Sequence, residues 1–172
     1  FKYFFIAQDP AESMDVKKDV EKIIEKETTQ NIIENLRFEN IDINGNKFIL
    51  IAKYGEINTD DINVLNLNEV TGIIYLVNKS PINISSDFAN YNKINFKTNF
   101  YTNVNINYEE NSIKSDNFQI ILDDNLASIN GNVVYNNTDV VSYADNIELN
   151  LLNGNVIINM FDKEDNIKIN RK

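Results

Sequence analysis

The chain has 172 residues, enough for one domain with a sizeable core and too few for two ordinary domains and a linker. Its formal net charge of −10 provides no basic field to gather phosphate backbones, which argues against nucleic acid as a partner. Histidine and cysteine are both absent, which excludes disulfides, Cys-based zinc sites and every Ser-His or Cys-His nucleophile, so any catalysis would rest on carboxylates, lysines or tyrosines.

The chain opens with Phe1, Tyr3, Phe4, Phe5 and Ile6, an apolar tip far shorter than the roughly 20 residues of a membrane span, and turns polar after Gln8. Residues 1–8 read as the end of a truncated transmembrane helix, with a small hydrophobic staple on the domain as the alternative. From Asp9 to Asn35, Met14, Val16, Val20, Ile23 and Ile24 recur mostly three to four residues apart among charges. That spacing predicts a charged helical linker over residues 9–35.

From Leu36 the hydrophobic period becomes two. Phe48, Leu50 and Ala52 share one parity, as do Ile82 and Ile84, and Thr102, Val104, Ile106 and Tyr108 alternate with Asn103, Asn105 and Asn107. Turn signals stand at Asn44-Gly45-Asn46, Asp123-Asp124-Asn125, Asn130-Gly131-Asn132 and Asn153-Gly154-Asn155. Residues 36–172 are therefore expected to form one all-β domain of short antiparallel strands. Gly131 reads either as a hairpin turn or as a point where backbone must approach a neighbouring strand or a ligand closely.

The second half of the chain repeats. Asp87, Asp116 and Asp145 stand 29 residues apart (116 − 87 = 29, 145 − 116 = 29), and Asn103-Val104 bears the same offset to Asp87 as Asn132-Val133 does to Asp116. A repeated strand-turn-strand unit implies stacking, each copy completing the apolar cover of the next. On the apolar sides of these units, Phe48, Leu50, Ile84, Phe88, Phe118, Ile120, Val133, Ile147 and Leu149 are expected to face the interior, with a bulge able to reset the parity at each aspartate.

A translational repeat lines its aspartates along one edge and does not converge them, so they read as bulge or turn carboxylates bonded to nearby backbone amides. Asp42-Ile43-Asn44-Gly45-Asn46 resembles the start of a calcium loop, but its glycine comes too early and Lys53 stands where the closing glutamate belongs. No catalytic residue, metal ligand or cofactor site is assigned.

The stretches NLRFENIDINGNKFILIAKYGEI, ISSDFANYN, YTNVNINY, NGNVVY and YADNIELNLLNGNVIINM together resemble the lipopolysaccharide-export family LptC, whose relatives include LptA and the periplasmic part of LptD. The resemblance covers about Asn35 to Lys168. It implies an open, twisted antiparallel β-jellyroll in the periplasm, tethered to the inner membrane by an N-terminal helix, with lipopolysaccharide as ligand along the nine interior residues. It matches functional glycines to Gly45 and Gly131. It places the LptB-LptF-LptG ABC transporter at the N-terminal edge, Leu36, Phe38, Ile41 and Ile43, and LptA at the C-terminal edge, Val156, Ile157, Ile158 and Met160. Two other readings stand beside it: an LptA-like periplasmic bridge, and a structural or adhesive β-solenoid whose interior is simply a dry core. Alternation alone does not separate a filled core from a ligand groove.

Overall fold

Strict apolar alternation from Ile32 onward produces strands and nothing else among the residues that the computed structural model describes, 32–122, 124–153, 155–160 and 168–171. The expected helix end at 1–8 and the linker up to residue 31 lie outside them. Ile32–Asn35, read as the end of that linker, belong instead to the first strand, with Asn35 at φ 55°, so the strands begin four residues before Leu36.

The strands are β1 (Ile32–Ile41), β2 (Lys47–Ile57), β3 (Val64–Tyr75), β4 (Ile82–Asn92), β5 (Thr98–Tyr108), β6 (Asn111–Ile121), β7 (Leu126–Asn136), β8 (Val140–Asn150), β9 (Val156–Asn159) and β10 (Lys168–Arg171). They form one sheet in which β1 to β8 follow chain order and both β9 and β10 lie on the far side of β8. β9 pairs with Asn146–Leu149 and β10 with Val140–Tyr143, both antiparallel. This is an open antiparallel jellyroll of repeated strands.

The sheet curls on itself. Phe38 of β1 and Tyr91 of β4 are three strands apart, about 14 Å in a flat sheet, yet their ring centroids are 4.6 Å apart. Curling turns one face inward, and the register lines that face with continuous apolar rungs. One runs Leu67, Ala89, Phe100, Phe118, Ile129, Ile147, Ile158 from β3 to β9. The outward face stays polar, with Asn66, Asn90, Asn99, Gln119, Ser128 and Glu148 in one rung.

Asparagine, abundant in this chain, closes the loops. The side-chain oxygens of Asn58, Asn92, Asn137 and Asn150 each accept two backbone N–H bonds from residues two and three positions on. These Asx turns end one strand and aim the next without proline.

The 29-residue repeat appears as successive hairpin units: β4, β6 and β8 start at residues 82, 111 and 140. Around each aspartate the register slips, between Ser85 and Phe88, between Lys114 and Asn117, and opposite β8 between Asn130 and Val133. The expected bulges are there, but the first two aspartates bond side chains and not backbone amides. Asn103 Nδ2 donates to Asp87 Oδ2 at 2.6 Å, and Asn132 Nδ2 to Asp116 Oδ2 at 2.7 Å. The facing strand meets the bulge with two residues at positive φ, Thr102 and Asn103 (62° and 55°) in one copy, Gly131 and Asn132 (79° and 49°) in the next.

Candidate functional site

The inner face differs along its length. On β2 to β5, Phe48, Leu50, Ala52, Leu67, Ala89 and Phe100 are packed to near-zero exposure. From β6 onward Ile120 and Val133 are still fully buried, but other inward residues are packed less tightly: Ala144 and Ile147 retain 8% exposure, Leu149 is half-buried, and Val156 and Ile158 on β9 reach 54% and 44%.

Two apolar cavities occupy the looser part. One, of about 410 Å³, is bounded by Ile74 and Leu76 of the β3 end, by Ile106, Phe118 and Ile129, and across the curl by Leu149 and Val156. The second, about 440 Å³, lies between Val133, Ala144, Ile147, Ile158 and Ile169. They share Ile113, Ile129, Tyr135, Leu149 and Val156, so they are neighbouring compartments of one interior. Each has the size of a small-ligand site. Tyr135 supplies a polar tip within apolar walls, its hydroxyl donating to Asn111 Oδ1 at 2.5 Å and accepting from Asn137 Nδ2 at 3.0 Å. A third hollow, about 400 Å³, is bounded by Glu109, Glu110 and Asp139 between two hairpin loops and is polar and acidic.

Of the nine residues expected inside, Phe118, Val133, Ile147 and Leu149 line the cavities. Phe48, Leu50, Ile84 and Ile120 point inward but belong to the tightly packed core. Phe88 is a correction: it faces outward, 38% exposed, and stacks on Tyr101 with centroids 5.6 Å apart. The bulge at Asp87 turns two successive side chains out, so the first inward residue after the aspartate is two positions on, Ala89, as with Phe118 and Ile147 in the later copies. The repeat carried that signal, since Phe88 aligns with Asn117 and Asn146 and not with Phe118. Missed entirely were Ile113, Ile129 and Tyr135; Ile129 sits two residues before Gly131 on the same strand and shared the visible alternation.

Gly131 is not in a hairpin turn. It lies within β7, where a Cβ would fall 2.6 Å from Asp116 Oδ2, so the close approach is to a side chain of β6. Gly45 does sit in the β1–β2 turn, at φ 84°, its N–H donating to Asp42 O at 3.1 Å. Asp42 Oδ1 accepts from the backbone of Asn44 and Asn46, and Oδ2 from Asn46 Nδ2, all at 2.8 Å. Slight desolvation works against its charge, but the Asn46 and Asn44 hydrogen bonds outweigh it and hold the carboxyl below its ordinary value. The turn uses Asp42 as a backbone acceptor, and among the described residues no group of three or more acidic side chains could hold a metal.

The two sheet ends expected to meet partners are unlike. Of the four residues expected at the N-terminal edge, Leu36 and Phe38 turn inward and pack on the core, while Ile41 of β1 and Ile43 of the following turn stand exposed, as do Ile32 and Ile33 at the start of β1. On β9, Val156, Ile157 and Ile158 are all about half exposed, with Met160 packed beside them. Among the described residues no helix is long and apolar enough to cross a membrane.

A family model described as "Lipopolysaccharide-assembly, LptC-related" matches residues 3–160, nearly the whole chain. The chain belongs to that family, and a general role in lipopolysaccharide transport follows. Comparison with curated proteins gives no match.

Proposed function

We propose that this member of the LptC-related family holds the acyl chains of lipopolysaccharide in the loosely packed half of its interior, receiving the lipid from the LptB-LptF-LptG transporter and passing it to LptA. The observation that carries this reading is the pair of adjoining apolar cavities, whose walls include Phe118, Ile129, Val133, Ile147 and Leu149. Burying acyl chains against such walls is favourable and non-directional, so a lipid can enter and leave without a covalent step. The sheet's open edge beside the cavities leaves a path for a charged sugar head to remain in water.

The two ends of the strand order suit two transfer partners. β1 and the β9/β10 pair present backbone edges that a strand of another jellyroll can extend by main-chain hydrogen bonds, with the inner rungs continuing across the junction. The half-exposed Val156, Ile157 and Ile158 suit LptA docking at the C-terminal end, and exposed Ile32, Ile33 and Ile41 suit the transporter at the N-terminal end. The domain then works in the periplasm, held at the inner membrane by a helix at its N-terminus. The chain carries no nucleotide-binding motif, so the energy for outward movement comes from the transporter.

The test is a photo-crosslinker placed singly at Leu149, Ile129, Leu50 and Phe88 in cells. Lipopolysaccharide adducts at Leu149 and Ile129, with none at Phe88, are expected. Labelling at Phe88 with none at Leu149 would sink the proposal.

A further inference from the structure

The boundary between the packed and the hollow parts of the interior is a pair of rings. Phe100 on β5 and Phe118 on β6 stack with centroids 5.7 Å apart and planes 28° from parallel. Phe118 forms part of the first cavity's wall, while Phe100 lies behind it, fully buried, on the side of Leu67 and Ala89. Phe100 is seated by a glycine on another strand. A Cβ added to Gly72 of β3 would lie 2.8 Å from Phe100 Cζ and 3.3 Å from its Cε1 and from Ile84 Cδ1. Gly72 has no need of positive φ, so its lack of a side chain serves the space that the ring tip occupies.

We propose that the Phe100–Phe118 stack, seated on Gly72, is the partition that sets how far an acyl chain can enter, and so the chain length this domain accommodates. The proposal rests on the lipid-binding reading above and adds a specificity determinant to it. The walls of the first cavity include Leu149, Val156 and the Phe118 ring, so an acyl chain held there has that ring among its contacts. Each added methylene that finds apolar wall raises affinity about fourfold. The gain stops where the methylene would have to displace the ring pair. Behind the stack Leu50, Leu67 and Ala89 are packed to near-zero exposure, so further entry on that side would have to displace core side chains.

The test uses the domain with a fluorescent fatty-acid probe displaced by a homologous series of saturated fatty acids. For the unaltered protein, affinity rises with length and then levels. Phe100→Leu and Phe118→Leu, which shorten the partition while keeping it apolar, are expected to move the levelling point up by one or more two-carbon steps. Gly72→Ala, which pushes the Phe100 ring toward the cavity, is expected to move it down. Circular dichroism and the thermal midpoint show that each variant compared is folded, and the leucine variants serve if Gly72→Ala does not fold. A levelling point unchanged in all folded variants overturns the partition while leaving lipid binding intact. Failure of any fatty acid to displace the probe from the unaltered protein overturns both the lipid-binding reading and the partition.

Discussion

The β2–β5 half and the β6–β10 half of this domain are made by the same alternation, with inward aliphatic and aromatic residues in both, yet the first is the fuller half and the second, together with the strand ends of β3 to β5, the more hollow one. Over β2 to β5 the inner face is filled: Phe38 reaches Tyr91 across the curl, Phe100 fills the space over Gly72, and Leu36 packs against Gly55 of the neighbouring strand. On β6 to β9 the inward residues Ile113, Ile129, Ala144, Ile147 and Leu149, together with Phe118, border unfilled apolar space. Apolar space in a repeated sheet thus arises with no special residue on its walls.

Substitutions separate the two halves by what each perturbs. The largest stability effect belongs to the full half: Leu50→Ala, at zero exposure, should cost about 2–5 kcal/mol in chemical denaturation. Lipid-probe affinity of its folded fraction should stay unchanged, and a parallel loss of affinity would show that the halves are not independent. Gly131→Ala comes next. It forces a side chain at positive φ against Asp116 and should cost about 1–3 kcal/mol. The equivalent position in the preceding copy is Thr102, also at positive φ, so the variant should still fold. A fully melted Gly131→Ala would mean that the two bulges are not equivalent.

In the hollow half, Leu149→Ala should cost less than about 2 kcal/mol, below the buried range, since its side chain already borders space. Its main effect should instead be weaker displacement of a fatty-acid probe. The reverse pattern, large destabilisation with intact binding, would mark the cavities as flaws in a core and favour the ligand-free solenoid.

The smallest effect is pH-dependent and sits at the β1–β2 turn, outside either cavity. Asp42 has its carboxyl lowered in the folded state, so its contribution is present above the unfolded-state value of about 3.9 and is lost as pH falls through the lower folded value. The stability gap between the unaltered protein and Asp42→Ala should therefore be constant near neutrality and close in strongly acidic solution. A gap that widened on acidification would contradict the hydrogen bonds assigned to Asn44 and Asn46.

By itself the sequence determined the class of fold, because period-two alternation over most of the chain has only strands as its solution and the 29-residue recurrence of Asp87, Asp116 and Asp145 spaces them as hairpins. It also determined where bulges fall, since a carboxylate repeated in mid-strand interrupts alternation in each copy. The direction of each side chain past a bulge was legible only in part. Phe88 occupies the repeat position of Asn117 and Asn146, beside the bulge, and faces outward although it is aromatic. Asn130-Gly131-Asn132 has the composition of a hairpin turn, but the pairing of β6 with β7 on both sides of it made it a bulge instead. Only the tertiary structure decided which inward residues touch one another and which face empty space. That choice depends on how tightly the sheet curls and on what lies opposite, Phe100 over Gly72 or Leu149 beside a cavity, and the local pattern is the same in both places.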